Sequence, residues 1–106
     1  MTITPASSIA GHRITRTVGL VKGNTIRARH LGKDILAGLK NLVGGEIEEY
    51  TKMMAEAREQ ALDRMRADAE RLGANAITDV HFATSYIMGA ASEIMAYGSA
   101  VVVTKE

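Results

Sequence analysis

The chain has 106 residues and a mass of 11.4 kDa, the size of one small domain (residues 1–106), and its formal net charge is +1. It contains no cysteine, which excludes disulfides, thiolate metal sites, thiol nucleophiles and iron–sulfur clusters. Aromatic residues are only 4% and tryptophan is absent, too few for the stacking platforms that bind single-stranded nucleic acid.

The near-neutral total conceals a polarity. Residues 1–45 hold seven Lys/Arg and one acid, Asp34, for +6; residues 46–106 hold six Lys/Arg and eleven Asp/Glu, for −5. Such a division suits a basic sheet packed near an acidic helix, or subunits that meet head to tail. Lys22, Arg27, Arg29 and Lys33 are too sparse for a duplex-binding stripe, so nucleic acid is not an expected partner. The N-terminus lacks a charged region followed by an apolar run, and no segment reaches the ~18 apolar residues of a membrane span. The expectation is a cytoplasmic protein with no membrane contact.

Pro5 to His12 read as a turn-rich lead-in. From Arg13 to Arg29 the chain alternates, with Ile14, Val18, Leu20, Ile26 and Ala28 on one face and Arg13, Thr15, Thr17, Thr25, Arg27 and Arg29 on the other. This period of two predicts a strand, with a bulge or a hairpin around Lys22–Asn24. Ile35, Leu36, Leu39, Leu42 and Val43 then recur at helical spacing, with Asp34 at the start and Gly44 at the end. A short helix is expected there.

A much longer helix is predicted from Glu46 to Leu72. Ile47, Tyr50, Met54, Ala57, Ala61, Met65, Ala69 and Leu72 form one apolar stripe, and Gly73 closes it. Glu46, Glu48 and Glu49 suit its first turn and Arg71 its last. Glu48–Lys52, Lys52–Glu56, Arg64–Asp68 and Arg66–Glu70 stand at pairing distance on the wet face. Two strands follow, Ala76–Ala83 and Glu93–Thr104, joined by a loop that carries Tyr86, Ile87 and Met88. The last strand is largely apolar on both faces, which calls for cover on both sides. Two helices cover one side of such a sheet; a further copy of the chain is the economical cover for the other.

Several strings resemble the YbjQ-like family: Asp34-Ile-Leu-Ala-Gly-Leu-Lys-Asn-Leu-Val-Gly-Gly-Glu46, Tyr50 with Ala57-Arg58-Glu59-Gln60-Ala61, Ala69 with Leu72-Gly73-Ala74-Asn75-Ala76-Ile77, and Ala96-Tyr97-Gly98-Ser99-Ala100-Val101-Val102-Val103. The resemblance implies a two-layer α+β subunit, an antiparallel sheet with a short and a long helix on one face. It also implies assembly into a ring-shaped homopentamer, and it carries a heavy-metal-binding label with no settled function.

The residues give that label little to stand on. Borderline and soft metals want thiolate or imidazole, and the three histidines, His12, His30 and His81, include no pair three or four residues apart. Met53, Met54, Met88 and Met95 offer thioethers that suit Cu(I), but methionine at such positions ordinarily fills core gaps. Strand alternation puts His81 on the face of Ile77 and Asp79, where the carboxylate could orient the imidazole. Gly44-Gly45 precedes a helix whose first turn is acidic, which argues for a turn rather than a phosphate cradle. Asp79 and Glu93 sit in or beside strands and could face a shared pocket, which the sequence does not decide, and no nucleophile motif accompanies them.

No catalytic residue, cofactor or metal ligand is therefore assigned. The expected function is that of a non-enzymatic, ring-forming homo-oligomer that binds a small ligand or metal ion at subunit interfaces. The alternative is a structural or adaptor module that presents its basic face to an acidic macromolecule.

Overall fold

A computed structural model of the chain describes residues 1–28, 45–88 and 91–106, with side chains over 1–26, 51–85 and 92–106. The elements are β1 (Thr2–Ile3), β2 (His12–Ala28), α1 (Gly45–Arg71), β3 (Ala76–Met88) and β4 (Ala91–Lys105). The four strands form one sheet in the order β1-β3-β4-β2. Both β2 and β3 run antiparallel to β4, whereas β1 runs parallel to β3. The fold is thus α+β as expected, but the sheet is mixed rather than antiparallel. Two residues are too few to show a period, and what makes Thr2–Ile3 a strand is the neighbouring edge of β3. The expected helix over 35–43 lies outside the described residues.

The long helix forms where its apolar stripe predicts. Ala57, Ala61, Met65 and Ala69 are completely buried against the sheet. Its end is fixed by a Schellman arrangement: Gly73 takes φ +85°, its N–H donates to the Glu70 carbonyl, and the Ala74 N–H donates to the Ala69 carbonyl. Among the described side chains the expected pairs Lys52–Glu56, Arg64–Asp68 and Arg66–Glu70 give way to others, while Glu48 lies outside them. Arg64 turns to the carbonyl of Asn24 on β2, Arg66 reaches Asp63 at 3.5 Å, and Arg71 binds Asp68 at 2.5 Å. Backbone acceptors and three-residue neighbours outcompete the i,i+4 partners here.

Strand β2 passes through Lys22–Asn24 without a hairpin or a bulge. Its irregularities fall earlier, where Thr15 and Val18 are extra residues against β4. The expected break at Gly23 has another cause. A methyl group at Gly23 would overlap the Ala61 carbonyl oxygen and the Met65 amide nitrogen, and would lie 2.8 Å from Arg64 Cβ. Glycine here lets the helix backbone rest directly on the strand. Register with β4 puts Val21, Gly23 and Thr25 beneath the helix, opposite Gly98, Ala96 and Ile94. Leu20 and Ile26, on the alternate face, remain 72% and 59% exposed.

The buried cluster comprises Val21, Ala57, Ala61, Met65, Ala69, Ala74, Ile77, Val80, Ile94, Ala96 and Ala100. Its largest fully buried side chains are Met65, Ile77 and Val21, so small residues dominate the contact between the layers. The join from helix to β3 is held by Asn75. Its backbone N–H donates to the Val101 carbonyl, its side-chain Nδ2 donates to the Val103 carbonyl at 3.0 Å, and its Oδ1 accepts from the Val103 N–H at 2.8 Å. The amide side chain extends the β4 ladder where β3 has not yet begun.

Replacing Gly23 by alanine is expected to remove about 1–3 kcal/mol of stability, the usual cost of overpacking a rigid contact. Urea unfolding measures it; a variant as stable as the parent would mean that the helix is not seated on β2 as described.

Candidate functional site

The sheet face away from α1 carries three of the polar residues the sequence points to, Lys22, His81 and Glu93, and sets other polar side chains beside them. Residues directly opposite in the ladder share a face, so β2, β4 and β3 contribute in rows. One row is Lys22, Tyr97 and His81; the next is Asn24, Met95 and Ala83; the third is Ile26, Glu93 and Ser85.

Each row has its own chemistry. The His81 and Tyr97 rings lie 5.7 Å apart, tilted by 38°, with His81 exposed and Tyr97 half-buried. Two rows along, Glu93 is held from both sides. Asn24 Nδ2 donates to its Oε2 at 2.8 Å and Ser85 Oγ donates to its Oε1 at 3.4 Å. A carboxylate held this way is an acceptor already in use, which suits a structural clamp across three strands more than a proton-transfer group.

Asp79 stands elsewhere. In β3 the pair Asp79–Val80 faces the single residue Gly98, and Asp79 adopts φ +54°, a left-handed conformation that Asp tolerates better than most residues. A side chain on Gly98 would meet Ile77 Cγ2 and the Thr78 carbonyl oxygen at 2.8 Å, so the bulge also depends on that glycine. The Asp79 carboxylate accepts from Ser7 Oγ at 2.9 Å. The expected orientation of His81 by Asp79 is therefore corrected: the bulge breaks the alternation, and the ring beside His81 is that of Tyr97. Nor do Asp79 and Glu93 share a pocket, because Glu93 lies five residues along β4 from the partner of Asp79, about 16 Å at strand spacing.

The histidines are not brought together. His12 is exposed at the far end of β2, opposite Lys105, with Nδ1 at 3.0 Å from the Ala10 carbonyl oxygen. His81 is opposite Tyr97, eight residues away along β4, and His30 lies outside the described residues. Among the described residues no group of three His, Cys, Asp or Glu side chains could hold a metal ion. With cysteine absent as well, the donors of one described subunit do not fit a heavy-metal centre. No helix of the described residues is long and apolar enough to cross a membrane.

The basic residues are likewise dispersed. Arg13, Arg16 and Lys22 are exposed on β2, with Lys22 close to Asp68 of the helix, while the side chain of Arg27 and the whole of Arg29 and Lys33 lie outside the described set. Asn24, Ser85 and Tyr97 were not singled out as site residues by sequence reasoning. Their roles arise only from strand register, which brings residues some 70 positions apart into one row.

Asp68, on the helix, is a carboxyl whose surroundings lower its pKa. Its hydrogen bond from Arg71 holds it below its ordinary value of 3.8 against the opposing effect of burial, with the Lys22 backbone N–H contributing further. A lowered carboxyl stabilises the fold above its unfolded pKa and loses that contribution as pH falls through the folded value. Stability below about pH 4 is therefore expected to fall less steeply in Asp68→Asn than in the parent. Thermal unfolding across pH 2–5 checks this, and parallel curves for the two proteins would contradict it.

Comparison with known proteins identifies the relatives of this arrangement. Residues 1–104 match the YbjQ family model described as "Putative heavy-metal-binding". The chain is 61% identical over 103 residues to a UPF0145 protein of Dehalococcoides mccartyi, covering 97% of this chain and 99% of that protein. It is 54% identical over 101 residues to a UPF0145 protein of Methanosarcina acetivorans, covering 95% of each. Among solved structures, a protein of unknown function of the DUF74 family from Pediococcus pentosaceus superposes with a TM-score of 0.64, covering 98% of each chain at 18% identity. That last likeness is one of fold.

Proposed function

The chain belongs to the YbjQ family, and from that premise we propose that it acts as a non-enzymatic homo-oligomer. Five copies of one 1–106 domain close into a ring that holds a small ligand or metal ion between subunits. The observation that carries this reading is the mismatch between core and surface. Among the described residues the buried cluster is mainly alanine, while Leu20, Ile26 and Phe82 stay 72%, 59% and 46% exposed. Large apolar side chains contribute most when buried, roughly 1.5–3 kcal/mol each, so their cover in an assembly is a substantial source of stability. The number five comes from the YbjQ resemblance.

The family description and the donor set are reconciled if a bound ion draws on several copies. His81 supplies one exposed imidazole per subunit, and a ring repeats it about the axis. The carboxylates favour the non-enzymatic reading. Glu93 is engaged by Asn24 and Ser85, Asp79 by Ser7, and the two stand apart.

Native mass spectrometry of the untagged protein tests both parts. A five-subunit mass is expected, with an additional ion or small molecule released when the subunits separate. His81→Ala is expected to keep the ring and lose a bound metal. A monomer at micromolar concentration would overturn the proposal.

A further inference from the structure

We propose that His81 and Met95 form a donor pair for a soft monovalent ion of the copper(I) class, with the Tyr97 ring as its aromatic wall. The inference rests on the reading above in which His81 holds an ion; it names the second donor and the class of ion.

Imidazole, carboxylate and thiolate leave a described subunit short of a metal site. Thioether sulfur is a further donor class, and it selects a different ion. Among the methionines with described side chains, Met65 is buried in the core cluster and Met54 packs against it from the helix. Met95 belongs to neither group. Its neighbours along β4, Ile94 and Ala96, are buried in the core, so alternation sets Met95 on the opposite face, where it stays half-buried. A methionine there fills no gap between the layers.

Register brings that residue beside His81. His81 is opposite Tyr97 and Ala83 is opposite Met95, so His81 and Met95 are diagonal neighbours on one face of β3 and β4. Diagonal neighbours in a ladder stand roughly 7–8 Å apart, within reach of long side chains. An imidazole and a flexible thioether can therefore meet at one ion placed between them. The surroundings leave both donors accessible. Ala83 is too small to cover Met95, and Asn24, on its other side, is committed to Glu93 at 2.8 Å. The His81 ring is exposed.

Both donors are neutral and one is soft. Copper(I) and silver(I) accept as few as two such donors, whereas zinc ordinarily takes four of nitrogen, oxygen or thiolate type. A cation within about 6 Å of an aromatic centroid is attracted by the ring's quadrupole, and the Tyr97 ring lies 5.7 Å from that of His81. Glu93, two residues from Met95 on the same face, sets a negative charge nearby, and Asn24 and Ser85 hold its oxygens in place. Lys22 stands two strands from His81, beyond Tyr97.

Silver(I), which stays in one oxidation state, is the probe, with native mass and methionine-methyl NMR on the full chain. The parent and Met53→Leu are expected to take up silver with a shift of the Met95 methyl signal. Affinity is expected to fall by roughly tenfold or more in Met95→Leu and in His81→Gln. Unchanged affinity in a folded Met95→Leu would overturn the proposal, as would a parent that takes up no silver or yields it to equimolar zinc. Should Met95→Leu fail to fold, the Met95 methyl of the parent decides, by shifting with silver or staying in place. Zinc held by an oligomer through His81, regardless of Met95, would overturn this proposal and leave the reading above standing. A monomeric parent would overturn the ring instead, while silver held by that monomer through both residues would sustain the pair.

Discussion

Everything in this subunit depends on how closely α1 lies against β2. At Gly23 the helix backbone itself, through Ala61 and Met65, occupies the place where a side chain would begin. A helix held that near favours small residues between the layers, and six of the eleven described residues of the buried cluster are alanine. Dense contact is gained without much apolar area per residue. The larger apolar side chains then fall where the helix does not reach: Leu20 and Ile26 on the opposite face, and Phe82 on β3.

The same geometry explains how the edges are distributed. Because α1 sits over β2, its Arg64 and Asp68 can reach the backbone of that strand and close one rim. The N-terminal residues close part of the other, anchored by the Asp79 bulge, Ser7 and Ile3. What is left is a neutral length of β3 beside a sheet face that carries His81, Tyr97 and the clamped Glu93. A subunit built this way offers larger apolar side chains outward, and the proposed ring of copies would cover them.

Much of this was legible in the residues, and what escaped has physical reasons. The long helix could be read to within a residue, because an apolar stripe over 27 residues admits one interpretation. The strand alternation of 13–28 was equally clear, but which face the helix takes was not. The larger aliphatics mark one face, and the helix settles on the other because Gly23 permits the closer approach. β3 and β4 run longer than expected because Tyr86, Ile87, Met88, Ala91 and Ser92 continue the ladder, leaving only two residues between the strands. β1 could not be seen at all, since two residues have no period. The site was the least legible part. A bulge at Asp79 moved one expected partner of His81 away, and register supplied Tyr97, Asn24 and Ser85, none of which carries a local signal.

The central claim is that the subunit's small-residue core is completed by its own copies. Folding linked to assembly makes stability depend on concentration by mass action. Thermal unfolding measured from about 1 to 100 μM is the direct test. The account predicts a midpoint that rises steadily with protein concentration; a midpoint that is constant across that range would contradict it.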